Sequence, residues 1–136
     1  MSKRNKIIYW IATVWLALAM IASAVQQIFN IGGFVEIMER LQYPAYFAII
    51  LGIWKIAGVI TILLPKLTLV KEWAYAGFFF VTSGAIFSHF AMNESIIEIL
   101  PALVLLLMTI LSWYFRPANR KLIIKRNEIH IKSTSR

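Results

Sequence analysis

Four long stretches of the chain are apolar and almost free of charge. Residues 7–35, 73–93 and 99–115 contain no Asp, Glu, Lys or Arg, and residues 41–65 contain only Lys55. Each is long enough for a helix to cross most or all of ~30 Å of hydrocarbon, which takes ~17–25 residues. Because hydrocarbon offers no water to the backbone, the pattern favours helices over other structures. It predicts transmembrane helices near residues 7–29, 45–64, 72–92 and 97–115.

Small residues inside two of these stretches predict close helix packing. Gly52 and Gly58 lie three residues before and after Lys55, on one face of the second predicted helix. In the third, Gly77 and Gly84 lie seven residues apart. Small residues at such spacings let membrane helices approach closely. We therefore expect both glycine faces to pack inward, and Lys55 to point into the bundle instead of toward lipid.

Basic residues are concentrated on one side of the predicted membrane. They precede the first helix, follow the fourth and occupy the second connection, whereas the first connection has only Arg40 and the third has none. By the positive-inside rule, both termini are expected to be cytoplasmic. The sequence thus predicts an all-α transmembrane four-helix bundle over residues 1–118, followed by a basic cytoplasmic tail over residues 119–136.

The first apolar stretch has an alternative interpretation. Its basic start and the string Ala22-Ser23-Ala24 resemble a secretory signal with a cleavage site. The uncharged run of residues 7–35 exceeds the 7–15 apolar residues of such signals, however. The pair Tyr9-Trp10 also suits an anchor at the membrane interface. We interpret the stretch as a membrane helix.

Composition excludes several classes of function. With no cysteine, the chain cannot form a disulfide, a thiolate nucleophile or an iron–sulfur site on its own. The only histidines, His89 and His130, are far apart, so no metal site is predicted. The net charge of +8 follows mainly from the one-sided basic residues. The expected partner is therefore the lipid bilayer, not nucleic acid.

Lys55 is the residue that most strongly indicates a site. A lysine at the bilayer centre costs about 2.5–3.5 kcal/mol on insertion scales, so it needs a partner in a protein interior or wet cavity. Glu72 and an outer cluster around His89 are both open as that partner. These two residues are roughly 25 Å apart at 1.5 Å per residue, so the lysine cannot serve both.

Polar residues form two candidate clusters, and each has a simpler structural explanation. Lys55 could be a structural lysine that fixes helix register, His89 an interfacial histidine bonded to a neighbour, and Glu72 a carboxylate at headgroup level. Trp54 lies at mid-depth beside Lys55, whereas Trp73 suits an aromatic belt at the membrane boundary. The predicted outer cluster comprises Gln26, Gln27, Ser88, His89 and Glu94 or Glu98, and the inner one Thr61, Lys71, Glu72 and Tyr75.

Two strings carry a family resemblance. Residues 51–58, Leu-Gly-Ile-Trp-Lys-Ile-Ala-Gly, and residues 69–78, Leu-Val-Lys-Glu-Trp-Ala-Tyr-Ala-Gly-Phe, resemble the DoxX-like family of small bacterial four-helix membrane proteins. The resemblance spans roughly residues 6–118. It implies a location in the bacterial inner or plasma membrane. The residues that match, and that we treat as hypothetical ligand-binding residues together with Trp54, are Lys55, Glu72, Trp73, Tyr75, Ser88 and His89.

The resemblance implies function only by analogy. Relatives in the wider group are associated with quinone-linked oxidoreduction, which implies an accessory subunit of a membrane redox system. Such a subunit would bind a quinone or another small ligand and have no catalytic activity of its own. Two other functions stay open: a proton-coupled permease that uses Lys55 and Glu72, and a structural membrane partner. The sequence is compatible with a redox partner subunit and with a homo-oligomer.

Overall fold

The computed structural model describes residues 2–121, which form five α-helices and a final 3-10 turn. Four of these helices are long and apolar enough to cross a membrane, and their ends lie within four residues of the predicted ones. This confirms the all-α transmembrane four-helix bundle. Residues 122–136 of the predicted tail lie outside the described part of the chain. The elements are α1 (Lys3–Ile28), α2 (Phe34–Arg40), α3 (Ala45–Leu63), α4 (Thr68–Ala91), α5 (Ile96–Tyr114) and the turn Ala118–Arg120.

The four long helices run up and down around one core. Helix α1 packs against α3 and α5, and α4 packs against the same two helices from the other side. The order around the bundle is therefore α1, α3, α4, α5, as short connections between antiparallel helices favour. The central side chains are Leu16, Met20, Val59, Ile62, Tyr75 and Phe78.

The two glycine faces behave differently. On α3, a Cβ added at Gly52 would lie 2.7 Å from Ile28 Cγ1 and 3.0 Å from the Ala24 backbone oxygen. A Cβ at Gly58 would lie 2.7 Å from the Phe78 ring, so the predicted close packing of α3 is confirmed. The corresponding prediction for α4 is wrong. Gly77 and Gly84 are exposed, and a Cβ at either would have no neighbour within 4 Å.

Helix α2 was not predicted from the sequence. Gly32 and Gly33 turn the chain with positive φ angles of 74° and 76°, which glycine adopts without steric cost. The Asn30 side chain then accepts a hydrogen bond from the Val35 N–H (2.8 Å) near the start of the helix. Only 7 residues long, α2 is too short to show a clear period and is held by packing of its apolar side on the bundle.

The two ends of the bundle differ in charge. The basic end contains the start of α1, the α3–α4 connection and the residues after α5; the acidic end contains α2 and the α4–α5 connection. At the basic end, Lys71 donates to the backbone oxygens of Thr61 (2.7 Å) and Leu64, and Arg120 donates to that of Ile62 (3.1 Å). These two cations satisfy carbonyls that the end of α3 leaves without helical partners.

Candidate ligand-binding cavity

A cavity of about 420 Å³ lies inside the half of the bundle nearer the acidic end. All five helices contribute to its walls, and most of the lining side chains are apolar. Helix α2 closes it at the acidic end with Phe34, Ile37 and Met38. The volume is within the range of about 300–1,000 Å³ that is usual for small-molecule sites. Its polar lining residues are Ser23, Gln27, Tyr43, Lys55, Thr82, Ser88, His89 and Glu98.

Lys55 reaches the cavity wall near the middle of the bundle. It is buried, and its Nζ donates hydrogen bonds to Ser23 Oγ and Gln27 Oε1, each at 2.8 Å. Both acceptors belong to α1, which packs against the same face of α3 as Gly52. Lys55 is therefore bound neither to Glu72 nor to His89. Of the predicted outer cluster, only Gln27 contacts it, while Gln26 is exposed.

Ser88 and Tyr43 join α4 to the start of α3 at the cavity wall. Their hydroxyl oxygens are 2.7 Å apart, and Ser88 Oγ also donates to the backbone oxygen of Gly84 (2.9 Å). Tyr43 stacks on Phe47, with ring centroids 5.5 Å apart. The hydroxyl pair thus places a polar group in the cavity at a second depth, nearer the acidic end than Lys55.

His89 lies beside Ser88 in a network of charged side chains. Its Nδ1 is hydrogen-bonded to the Glu94 carboxylate, which also accepts from Arg40 Nε at 2.5 Å. Arg40 extends to Glu98 as well, at 3.4 Å. The hydrogen bond from His89, with support from Glu98 and Arg40, holds the pKa of Glu94 below its ordinary value, although burial acts in the opposite direction. The network ties α2 to the α4–α5 connection.

The same network offers a set of donors that suits a divalent cation. One ligand atom from each of His89, Glu94 and Glu98 lies within 4.8 Å of the others. In this structure Arg40 already pairs with both carboxylates. The arginine thus supplies the positive charge that a cation would otherwise bring.

The two tryptophans among the hypothetical ligand-binding residues, Trp54 and Trp73, lie in different places. Trp54 borders the cavity beside Lys55, yet 62% of its surface is exposed on the side of the bundle. Trp73 is 65% exposed on α4 and does not border the cavity. Trp54 can therefore contact a ligand in the cavity, whereas Trp73 cannot.

Glu72 belongs to a separate site at the basic end. Its carboxylate pairs with Arg116 Nη2 (2.6 Å) and accepts from Trp113 Nε1 (3.1 Å). The Arg116 guanidinium also lies over the Tyr75 ring, 5.1 Å from its centroid. The predicted inner cluster is thus divided, because Lys71 binds the end of α3 and Glu72 binds the residues around the end of α5.

Tyr75 continues this basic-end site into the core. Its hydroxyl is 2.7 Å from Ser112 Oγ, which is 2.6 Å from Thr13 Oγ1. All three residues are buried, so the hydroxyls satisfy one another between α4, α5 and α1. A second, more open groove of about 350 Å³ begins here and follows α4 and α5; it is lined by Glu72, Tyr75, Ala76, Phe79, Phe80, Thr109, Ile110 and Trp113.

Several residues of these sites were not found from the sequence. The sequence indicates Ser23 only as part of a cleavage-like string, and Arg116 only as one of the basic residues that follow the fourth helix. The sequence position of each residue nevertheless gives a weak indication of its contacts. Ser23 lies four residues before Gln27, on the same helix face, and Arg116 is the first charge after the fourth apolar stretch. Tyr43, Thr13 and Ser112 meet their partners only through the fold.

Comparison with known proteins agrees with the architecture. The model of the DoxX-like family matches residues 11–112, from the third turn of α1 to near the end of α5. No curated protein and no solved structure matches the chain. The match covers most of the chain and includes both Lys55 and Glu72. The protein is a multi-pass membrane protein, and it belongs to the DoxX-like family.

Proposed function

We propose that this protein binds a small, largely apolar ligand in the cavity, and that a carbonyl oxygen of the ligand accepts a hydrogen bond from Lys55. The single observation that carries the proposal is a buried lysine on the wall of a mostly apolar cavity. Ligand sites usually combine apolar walls with a few polar groups that orient the ligand. A quinone has this chemistry, since its carbonyl oxygens are carried on an apolar ring.

The hydrogen bonds of Lys55 support this assignment. An ammonium has three N–H donors. Two of them go to Ser23 and Gln27, and none of the other residues 2–121 accepts from Lys55. One donor therefore remains for a ligand. The neighbouring Trp54 ring offers a flat apolar surface on which a quinone ring can stack.

The contacts favour binding over proton-coupled transport. Transport through Lys55 and Glu72 needs a path between them. Lys55 is bonded to α1, whereas Glu72 is bonded to Trp113 and Arg116. Within residues 2–121 no hydrogen bond links these two sets. A purely structural function accounts for the bonds to α1 but leaves the adjoining cavity without a purpose.

The wider setting of this function is also a proposal. We infer that the protein is an accessory subunit of a membrane redox system and has no catalytic activity of its own. We place it in the bacterial inner or plasma membrane, with both termini in the cytoplasm. The family resemblance supports the location, and the basic end supports the orientation. A redox partner subunit or a second copy of this chain would contact it within the bilayer.

The test is thermal unfolding of the purified protein in detergent, with and without ubiquinone and menaquinone analogues. The variants are wild type, Lys55→Met and, as a matched control, Lys6→Met, which removes an exposed lysine of α1 outside the cavity. Ligand that binds only the folded state at 100 times its Kd stabilises by about 2.7 kcal/mol. We expect the quinone analogues to stabilise wild type and Lys6→Met by about this amount, and to stabilise Lys55→Met far less.

A ring analogue that lacks the carbonyl oxygens serves as the ligand control. It should stabilise wild type and Lys55→Met equally weakly, because it offers nothing for the ammonium to bind. If the quinones stabilise Lys55→Met as much as wild type, Lys55 does not hold the ligand. If they stabilise neither, a quinone is not the ligand.

A further inference from the structure

Two aromatic side chains border the cavity and are exposed on the outside of the bundle. Trp54 on α3 is 62% exposed and Phe80 on α4 is 69% exposed, although both line the cavity that contains Lys55. A side chain with both properties lies where the cavity meets its surroundings. Since α3 and α4 are neighbours in the bundle, the surface between these two residues is the candidate opening of the cavity.

The depth of this opening decides what it faces. Trp54 is near the middle of α3, and Phe80 is near the middle of α4. At 1.5 Å per residue, each is roughly 13–18 Å from either end of its helix. That depth falls within the ~30 Å hydrocarbon core of a bilayer. The opening therefore faces acyl chains and not water.

Gly84 keeps space free at this opening. It lies one turn from Phe80 toward the acidic end, it is exposed, and it borders the cavity. A Cβ at this position would have no neighbour within 4 Å. The glycine therefore makes no close helix contact, and a larger side chain at this position would have free space beside the cavity.

Phe80 also connects the cavity to the groove along α4 and α5, because it lines both. Beyond Phe80 the groove runs toward the basic end over the side chains of Ala76, Phe79 and Ile110. This surface is mostly apolar, and the hydroxyls of its Tyr75 and Thr109 are already hydrogen-bonded within the bundle. The groove therefore suits a hydrocarbon chain, and its charged residue, Glu72, belongs to the basic-end site.

We propose that the cavity is filled sideways from the bilayer, through the opening between Trp54 and Phe80. Its ligand is a lipid-soluble molecule with a polar head that reaches Lys55 and an apolar tail that leaves past Phe80. This inference rests on the proposed function for the position of the head. It adds the route and the ligand class: a long-tailed lipid instead of a water-soluble ring.

The first test blocks the opening with Gly84→Phe and uses Gly77→Phe as a matched control. Both glycines are exposed on α4 with free space for a Cβ, but only Gly84 borders the cavity. In lipid nanodiscs, a long-tailed quinone should raise the unfolding temperature of wild type and Gly77→Phe, and raise that of Gly84→Phe by less than half as much. Equal rises for the two variants would overturn the lateral route.

The second test needs no ligand and separates the two proposals. Because the chain has no cysteine, Gly84→Cys and Gly77→Cys each give a single site for a nitroxide spin label. We expect both labels in nanodiscs to collide with oxygen, which dissolves in lipid, and to be shielded from the water-soluble complex NiEDDA. NiEDDA access at position 84 as high as that of a label on Glu39→Cys, on exposed Glu39 outside the spans, would show a water-filled opening and refute lateral loading, whether or not quinones bind.

Discussion

Lys55 donates a 2.8 Å hydrogen bond to Oε1 of Gln27, and this bond joins α3 to α1 in the buried middle of the bundle. The second acceptor, Ser23 Oγ, lies one turn earlier on the same helix. The lysine is therefore bound by neutral oxygens, and no carboxylate among residues 2–121 pairs with it. Such a lysine fixes the rotation of α1 against α3 and still presents a donor to the cavity.

We predict that Gln27→Leu destabilises the protein through Lys55. Hydrogen bonds to charged groups contribute about 1.5–3 kcal/mol, so the loss should be of that order in wild type and much smaller in a Lys55→Met background. Chemical unfolding in detergent measures the effect of Gln27→Leu in both backgrounds, which completes a double-mutant cycle. Gln26→Leu is the control, since Gln26 is exposed and should change stability by less than about 0.5 kcal/mol. Equal losses in both backgrounds would mean that the Gln27–Lys55 bond is not the cause.

The Glu72–Arg116 pair should hold the basic end together. The Arg116 side chain is 4% exposed, so Glu72→Gln leaves a buried guanidinium without its counter-charge. We expect Glu72→Gln to lower the free energy of unfolding by about 1.5–3 kcal/mol, and the double variant Glu72→Gln/Arg116→Met to recover part of it. Detergent unfolding measures the effect, with the exposed Glu39→Gln as control. A fully stable Glu72→Gln would contradict the assignment of this pair as structural.

The fold could be predicted from the sequence because each of its determinants is local. Uncharged length specifies the four spans, and the Gly52–Lys55–Gly58 spacing specifies the inward face of α3. The same reasoning failed for Gly77 and Gly84 on α4. Glycine spacing identifies a shared helix face but does not reveal whether a neighbour lies against it. At Gly84 that face borders a cavity instead.

The site could be predicted only in part, because its contacts join residues distant in sequence. That Lys55 needed a partner followed from the energetics of the bilayer. Which partner it has depends on the rotation of α1, which brings Ser23 and Gln27 to Lys55 and leaves Gln26 exposed. The depth of a residue along its own helix, calculated at about 1.5 Å per residue, carries no information on that rotation. Helix α2 was missed for a related reason, since its 7 residues are stabilised by the bundle and not by their own pattern.

Gly52→Ala should disrupt the packing of α3 on α1. The added methyl would lie 3.0 Å from the Ala24 backbone oxygen, which cannot move without shifting α1. Overpacking of this kind costs about 1–3 kcal/mol. Gly77→Ala is the matched control: its Cβ meets no neighbour, and alanine is the better helix former, so that variant should be as stable as wild type or slightly more stable. Equal stability of the two variants in detergent unfolding would argue against a tight α1–α3 contact.

The Glu94 network predicts a dependence of stability on pH. The hydrogen bond from His89 and the charge of Arg40 lower the pKa of Glu94 below its ordinary value of 4.5. Its contribution to stability is therefore complete above about pH 4.5 and is lost as the pH falls through the lower, folded-state value. Unfolding temperatures between pH 6 and 3 should fall less steeply for Glu94→Gln than for wild type. Glu39→Gln should keep the wild-type slope, and a wild-type slope in Glu94→Gln would refute the linkage.

The orientation of the bundle can be tested with single cysteines in a chain that has none. Glu39→Cys places a thiol on exposed α2 at the acidic end, and Lys121→Cys places one at the basic end. Because moving clustered lysines and arginines across the membrane is disfavoured, the basic end should face the cytoplasm. A membrane-impermeant maleimide added to intact spheroplasts should then label Glu39→Cys at once and Lys121→Cys only after lysis. The reverse labelling pattern would mean that the acidic end, with α2 and the His89 network, faces the cytoplasm.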